Sequence, residues 1–401
     1  MPALRVFLDS SDYSVLSGTE ATKAPYASIL ETLVAYRDAN AVAFYFTGPL
    51  VAEMAPIDSR SAPAAIARGA LLAALCGRNC LVSPERLIAH EVASALGLAR
   101  DPRDLWSETG DWFPGGALDI IKISPEEHRN AFHDVLTEQG ANRAARRQAQ
   151  RKMMKQGQFR PATQARIAQA VRSDQAAIDI QKRFPMCIED ARTLARFVAG
   201  AATPDQAAAA FCSSLGDPSG LYAWMSHQPE GAKSFLEWVR GPAAGLSKSV
   251  LQLADLATKL RELELNSGVE TGVDGLSGSD WKAQSETALK SMAGRFAMEL
   301  LNQPTTNLST NSLEANCPGL VCAVRTMYEA WRTALLAQPR KPKDSDFPDM
   351  LHALYAPYVD LFRADGFMAP IIARHNKDGR VRVIAKLTQL PAAIESVIGR
   401  V

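Results

Sequence analysis

Asp9, Glu53, Asp346, Asp349 and Asp365 are the residues whose type and spacing suit chemistry most directly. Asp9 closes the apolar run at 4–8, where side chains emerge at the carboxyl edge of a parallel sheet. Asp365 closes a second run, YVDLFRAD, so two strand-end carboxylates would face one crevice. Asp346 and Asp349 stand three apart at a helix start and share one face. Glu53 follows a further apolar run and is placed to join them. Carboxylates gathered this way repel one another unless a hard cation neutralises them. Mg²⁺ and Mn²⁺ take oxygen ligands, keep several waters and bind phosphate directly. A centre of this kind hydrolyses phosphodiesters by activating water and stabilising the leaving oxygen.

Each acid also has a simpler structural role. An Asp at a strand end serves as a turn or N-cap residue, the better account of Asp12 and Asp344 and a competing one for Asp346. Asp360, inside the predicted strand 358–363, faces solvent, pairs with a base or serves as an accessory ligand. His352 lies one helical step from Asp349. It is placed to contact a phosphate or protonate a leaving oxygen, against the commoner roles of capping or packing. Tyr355 and Tyr358 read as core or rim aromatics.

The elements that must position these residues fall into three blocks. Strand 4–8, helix 28–37 and strand 41–46 begin an α/β unit with a parallel sheet. From residue 62 the texture turns to Ala-rich helical periodicity, predicting helices at 64–76, 84–98, 143–155, 163–183, 188–199, 249–264, 280–301 and 320–336. The Gly/Ser-rich stretch 265–279 reads as a loop. Helix 344–356, strand 358–363, helix 366–373, β-run 381–387 and a short terminal helix return to α/β texture. The expected architecture is a split α/β domain, with residues 1–60 and 315–401 closing around a mainly helical insertion at 61–314. Helix 84–98, which carries Glu91, is a candidate member of the core. No fixed-period repeat is visible, which argues against a solenoid.

Three segments, LRVFLDSSDYSVL, FYFTGPLVAEM and SDFPDMLHALYAPYVDLFRAD, resemble the PIN-like nuclease superfamily. The last is the most specific: an Asp opens a helix, an apolar strand follows, and that strand ends in Asp. The resemblance implies a PIN-like α/β/α sandwich with a parallel sheet, split here by a large all-α insertion. It implies that Asp9, Glu53, Asp349 and Asp365 are the four acids of the site, both catalytic and metal-holding. It implies a Mg²⁺- or Mn²⁺-dependent endonuclease that cleaves RNA, less often DNA. Glu91 competes with Glu53 for the second position, and Ser11 stands where many members place Asn. The alternatives are a DNA-directed relative of the same site and a catalytically inactive scaffold with a helical binding module. A role as a toxin or in antiphage defence, with a protein partner or antitoxin, stays open, and the residues identify neither the partner nor the trigger.

Between Gln139 and Ser173 there is no acidic residue. Arg143, Arg147 and Arg151 repeat every four residues within it and line one face if helical. Such a face suits a phosphate backbone, or else is a solvated or salt-bridged surface. Trp224, Trp238, Trp281 and Trp331 fit apolar helix patterns. The stretch 101–116, with Trp106 and Trp112, reads as a loop that could border the crevice.

Formal charge of +1 excludes a uniformly basic coat but not local patches. Hydrophobic residues at 47% predict a sizeable core. Cys76/Cys80 and Cys317/Cys322 are close pairs without zinc-site spacing or a neighbouring His, so buried thiols are expected. MPALRVFLDSSDY has no basic flank followed by an apolar signal core, and no apolar run reaches bilayer length. A cytoplasmic location with reduced thiols and no membrane partner is the corresponding expectation.

Overall fold

The computed structural model describes residues 3–98, 101–113, 142–155, 158–163, 165, 174–198, 201–270, 279–304, 308–336, 340–341, 343, 345–376 and 381–399. The fold is mixed α/β and mostly helical, built on a four-stranded parallel sheet. In space the order is Val42–Tyr45 (β2), Leu4–Phe7 (β1), Leu361–Arg363, Arg382–Ile384. The two last-named strands come from the far end of the chain, so the sheet itself joins the two sequence halves. Register pairs Leu4 with Val42 on one side of β1 and Phe7 with Phe362 on the other. β1 is central, and Val6, Phe7 and Leu8 are fully buried, as a parallel strand covered on both faces requires. Phe7 and Phe362 stack across the pair with centroids 4.8 Å apart. A parallel bridge from Phe46 to Cys80 extends the β2 edge.

Local differences from the sequence expectation have physical reasons. The SSD triplet after β1 does not end in a turn: it opens helix α1 (Ser10–Ser17) with a capping box. Asp9 accepts from Ser11 N at 3.2 Å, and Asp12 accepts from Asp9 N at 3.0 Å. The predicted strand 358–363 shortens to Leu361–Arg363, since Ala356–Tyr358 makes a single 3₁₀ turn. Asp360 therefore precedes the strand, and it pairs with a base: Arg5 reaches it by its backbone N at 2.8 Å and by Nη2 at 3.1 Å. The predicted helix 249–264 is part of one 39-residue helix, Pro229–Ser267, which takes in the start of the predicted 265–279 loop. Residues 271–278 and Asp344 lie outside the described residues.

The insertion does not stand apart from the α/β part. One continuous core holds Val6 and Phe7 together with Leu72, Trp112, Phe211, Tyr222 and Met225. Trp112 is thus core rather than crevice, and its indole N donates to Leu215 O at 2.9 Å. Trp106 donates to Tyr358 O at 3.2 Å beneath the Arg5 guanidinium. Gly69 lies against the Tyr222 ring so closely that a Cβ there would collide with it. Tyr222 in turn donates to Val51 O at 3.0 Å, bracing the helix Gly48–Met54 (α3, next along the chain after α2 at Tyr26–Asp38) that carries Glu53. The long helix Pro229–Ser267 packs on α3 and on the helix Asp346–Ala353. Cys76, Cys80, Cys317 and Cys322 are buried free thiols. No helix among the described residues is long and apolar enough to cross a membrane.

Candidate metal centre

Asp9 lies just beyond β1, and Asp365 just beyond Leu361–Arg363, so the pairing of those strands sets both at one sheet edge. Both also cap helices, so the simple structural role and the functional one coincide. Ser11 N and Oγ both donate to Asp9 Oδ2. Asp365 Oδ1 accepts from Phe367 N at 2.9 Å and Met368 N at 2.6 Å, at the start of the helix Met368–His375. The caps fix each carboxylate by one oxygen. For Asp9 the other oxygen takes no hydrogen bond among the described residues.

Glu53 and Asp349 arrive from opposite sides. Thr47 caps α3, and Ser10 Oγ donates to Glu53 Oε1 at 2.9 Å. Asp349 and His352 share the buried face of Asp346–Ala353. Ligand atoms of Asp9, Asp349 and His352 all lie within 4.8 Å of one another. His352 Nε2 stands 3.7 Å from Glu53 Oε2, too far for a hydrogen bond, and neither buried atom has a hydrogen-bond partner. The Asp349 carboxylate makes no hydrogen bond or ion pair among the described residues.

The electrostatics of this cluster are those of buried charge gathered with little compensation. Burial pushes the Asp349 carboxyl well above its ordinary range, and Asp9, Glu53, Asp365 and Asp346 add to it in that order. Burial, then Asp9, raises the Glu53 carboxyl to about 8, against the Ser10 hydrogen bond and the Arg68 charge. Burial lowers the His352 imidazole to about 4, against the pull of Asp9, leaving it neutral near pH 7. Two guanidiniums border the cluster. Arg68 donates to Met54 O at 2.9 Å. Arg340 lies over the Phe367 ring and grips Asp346 through both Nη atoms at 2.6 and 2.8 Å.

The donors that could hold a divalent cation are the Asp9 and Asp349 carboxylates and the neutral His352 imidazole, gathered within 4.8 Å. Glu53 stands beside the imidazole, and Asp365 is near enough to act on the Asp349 charge but outside that group. Two buried lone-pair atoms are left unpaired. Asp346 is taken up by Arg340 and Lys343 N and stays outside the cluster. Asp12 is bound bidentately by the buried Arg363. Glu91, the competitor of Glu53, is placed elsewhere. Its carboxylate accepts from Gly319 N at 2.6 Å and Leu320 N at 2.9 Å and from the Tyr358 hydroxyl, capping the helix Pro318–Ala334. His352 is the member that sequence spacing undervalued, although its three-residue step from Asp349 was the available signal. Ser10, Arg68 and Arg340 gave no local signal. Arg143, Arg147 and Arg151 are exposed on the helix Arg143–Met153. The remaining predicted core aromatic, Tyr355, is buried and donates to Val82 O at 3.0 Å.

No protein-family model matches this chain, and searches of curated proteins and of solved structures return no match.

A pH dependence follows from the raised Glu53 carboxyl. In the metal-free protein its folded value, about 8, exceeds the ordinary 4.5. Stability from the protonated form is therefore complete below 4.5 and is lost as pH rises through about 8. A divalent ion must displace that proton, so its apparent affinity should climb by up to about tenfold per pH unit for each proton displaced. Calorimetric titrations should show affinity rising from pH 6 to 8, and rising less steeply in Glu53→Gln; equal slopes in the two proteins would contradict the assignment of Glu53.

Proposed function

We propose that this chain is a divalent-metal-dependent nuclease with a PIN-like core, cleaving phosphodiester bonds in RNA. The observation that supports this most is the meeting of Asp9, Asp349 and His352, with Glu53 and Asp365 close by, at the carboxyl edge of the parallel sheet. They come from three separate stretches of sequence, and their mutual repulsion makes little sense without a cation. The preference for RNA follows from the resemblance of the three short segments to PIN-like nucleases.

When bound, Mg²⁺ or Mn²⁺ would polarise the phosphodiester and supply an activated water at neutral pH. Asp9, Glu53, Asp349 and Asp365 would hold the ion. Ser10 and Ser11 fix the Glu53 and Asp9 carboxylates from the first turn of α1, so the donors are set before any ligand arrives. The long helix Pro229–Ser267 buttresses the helices that carry Glu53 and Asp349, which gives the insertion a supporting role.

The exposed Arg143, Arg147 and Arg151 supply a face for the phosphate backbone. Replacing all three with Ala should weaken single-strand binding and flatten the dependence of log affinity on log salt by about 2, at roughly 0.7 per phosphate contact. Filter binding across a salt series measures this, and an unchanged slope would remove that face from the account.

The test of function is incubation of end-labelled single-stranded RNA and DNA with Mg²⁺ or Mn²⁺. RNA should be cut internally, chelator should stop the cutting, and Asp9→Asn and Asp365→Asn should abolish it. Cleavage of DNA alone would move the substrate and keep the site. Cleavage of neither would overturn the catalytic reading in favour of a binding scaffold.

A further inference from the structure

We propose that His352 is itself a metal ligand through Nε2, and that this nitrogen makes the centre select a transition-metal ion such as Mn²⁺ over Mg²⁺. The inference rests on the cation-centre reading above and goes beyond the all-carboxylate donor set that the sequence suggested.

The geometry carries it. A ring nitrogen of His352 belongs to the Asp9–Asp349–His352 group whose ligand atoms lie within 4.8 Å of one another, and Nε2 is the one left without a hydrogen-bond partner. The side chain is only 3% exposed, and the buried Nε2 has no hydrogen-bond partner. A buried, unpaired imidazole nitrogen costs free energy on the order of 1–3 kcal/mol, so its retention among carboxylates calls for a partner. A proton on Nε2 shared with Glu53 does not supply one, because Glu53 Oε2 is 3.7 Å away. Two donors bound to one ion at about 2.1 Å each stand roughly 3–3.6 Å apart, close to that spacing. Phe7 holds the ring from the side, with centroids 5.4 Å apart and planes at 58°, and the helix Asp346–Ala353 fixes its backbone. The imidazole is thus positioned by packing rather than by a hydrogen bond through Nε2.

The consequence is metal choice. Mg²⁺ is hard and favours carboxylate, carbonyl and water oxygens, whereas imidazole favours later first-row ions. Replacing one oxygen donor by nitrogen shifts the balance toward Mn²⁺ and beyond it in the Irving–Williams order.

Pulsed EPR of the full chain loaded with Mn²⁺ tests this without any activity readout. The wild type should show ¹⁴N modulation from a coordinated imidazole, and His352→Gln should lose it. Competition should show Mn²⁺ binding at least about tenfold tighter than Mg²⁺, with the ratio collapsing toward one in His352→Gln. Mn²⁺ bound without ¹⁴N modulation in the wild type would overturn the proposal and leave the carboxylate centre standing. Absence of Mn²⁺ binding would overturn both. If His352→Gln failed to fold, the wild-type spectrum and its Mn²⁺/Mg²⁺ ratio would still decide. A ¹⁴N signal without cleavage of any nucleic acid would uphold this ligand and remove the nuclease reading.

Discussion

Asp349→Asn is expected to lower metal-dependent cleavage by on the order of a thousandfold while raising the melting temperature of the metal-free protein. The loss follows from removing a donor: several kcal/mol of transition-state stabilisation from a divalent ion corresponds to a rate factor of that order. The gain in stability follows from the same carboxylate. Asp349 is buried, unpaired among the described residues, and surrounded by Asp9, Glu53 and Asp365. Without a cation, its charge is opposed both by burial and by those neighbours. A neutral amide of similar size removes the repulsion and leaves the backbone untouched. Function and stability then move in opposite directions, as expected where a site stores electrostatic strain. Differential scanning of both proteins with chelator and with Mn²⁺ checks the prediction: the variant should melt higher with chelator and lose the metal-induced shift. A variant that melts lower with chelator would mean Asp349 is held by structure rather than by a cation.

The second large effect concerns Arg363. Its guanidinium is 5% exposed and makes two parallel bonds to Asp12, Nε to Oδ2 at 2.9 Å and Nη2 to Oδ1 at 2.6 Å. Nη1 donates to Ile384 O at 2.9 Å, tying the neighbouring strand into the same contact. Arg363→Met leaves Asp12 buried with no counter-charge, a loss of about 3–5 kcal/mol. The effect should reach the candidate metal centre, because Asp12 Oδ2 also accepts from Asp9 N and so sets the start of α1. Adding Asp12→Leu to Arg363→Met should recover part of the loss, since no charge then remains buried unpaired. Denaturant unfolding of the two single variants and the double variant gives the coupling. A loss below about 1 kcal/mol for Arg363→Met would show that the pair is solvated rather than buried.

What the sequence made legible was local. The apolar runs located β1 and its neighbours, and strand-end position picked out Asp9 and Asp365. Helical spacing placed Asp349 beside His352. These signals arise within a few residues, where periodicity and capping act. What stayed hidden depends on partners far along the chain. Glu53 and Glu91 both sit in apolar helices, and nothing near either one distinguishes them. Glu91 meets the buried first-turn amides of Pro318–Ala334 more than two hundred residues away, while Glu53 meets Ser10 and lies beside His352. Asp360 is taken by Arg5, and Asp12 by Arg363, across almost the whole chain. The insertion looked separable because its texture changes at residue 62, yet Tyr222 and Trp112 belong to the common core.

Calorimetric titration of Mn²⁺ into wild type and Asp349→Asn at pH 8 decides whether these carboxylates and His352 form a cation centre. Saturable binding at micromolar to millimolar concentration is expected in the wild type, and none in that range for the variant. Equal heats for the two proteins, or none for either, would contradict it.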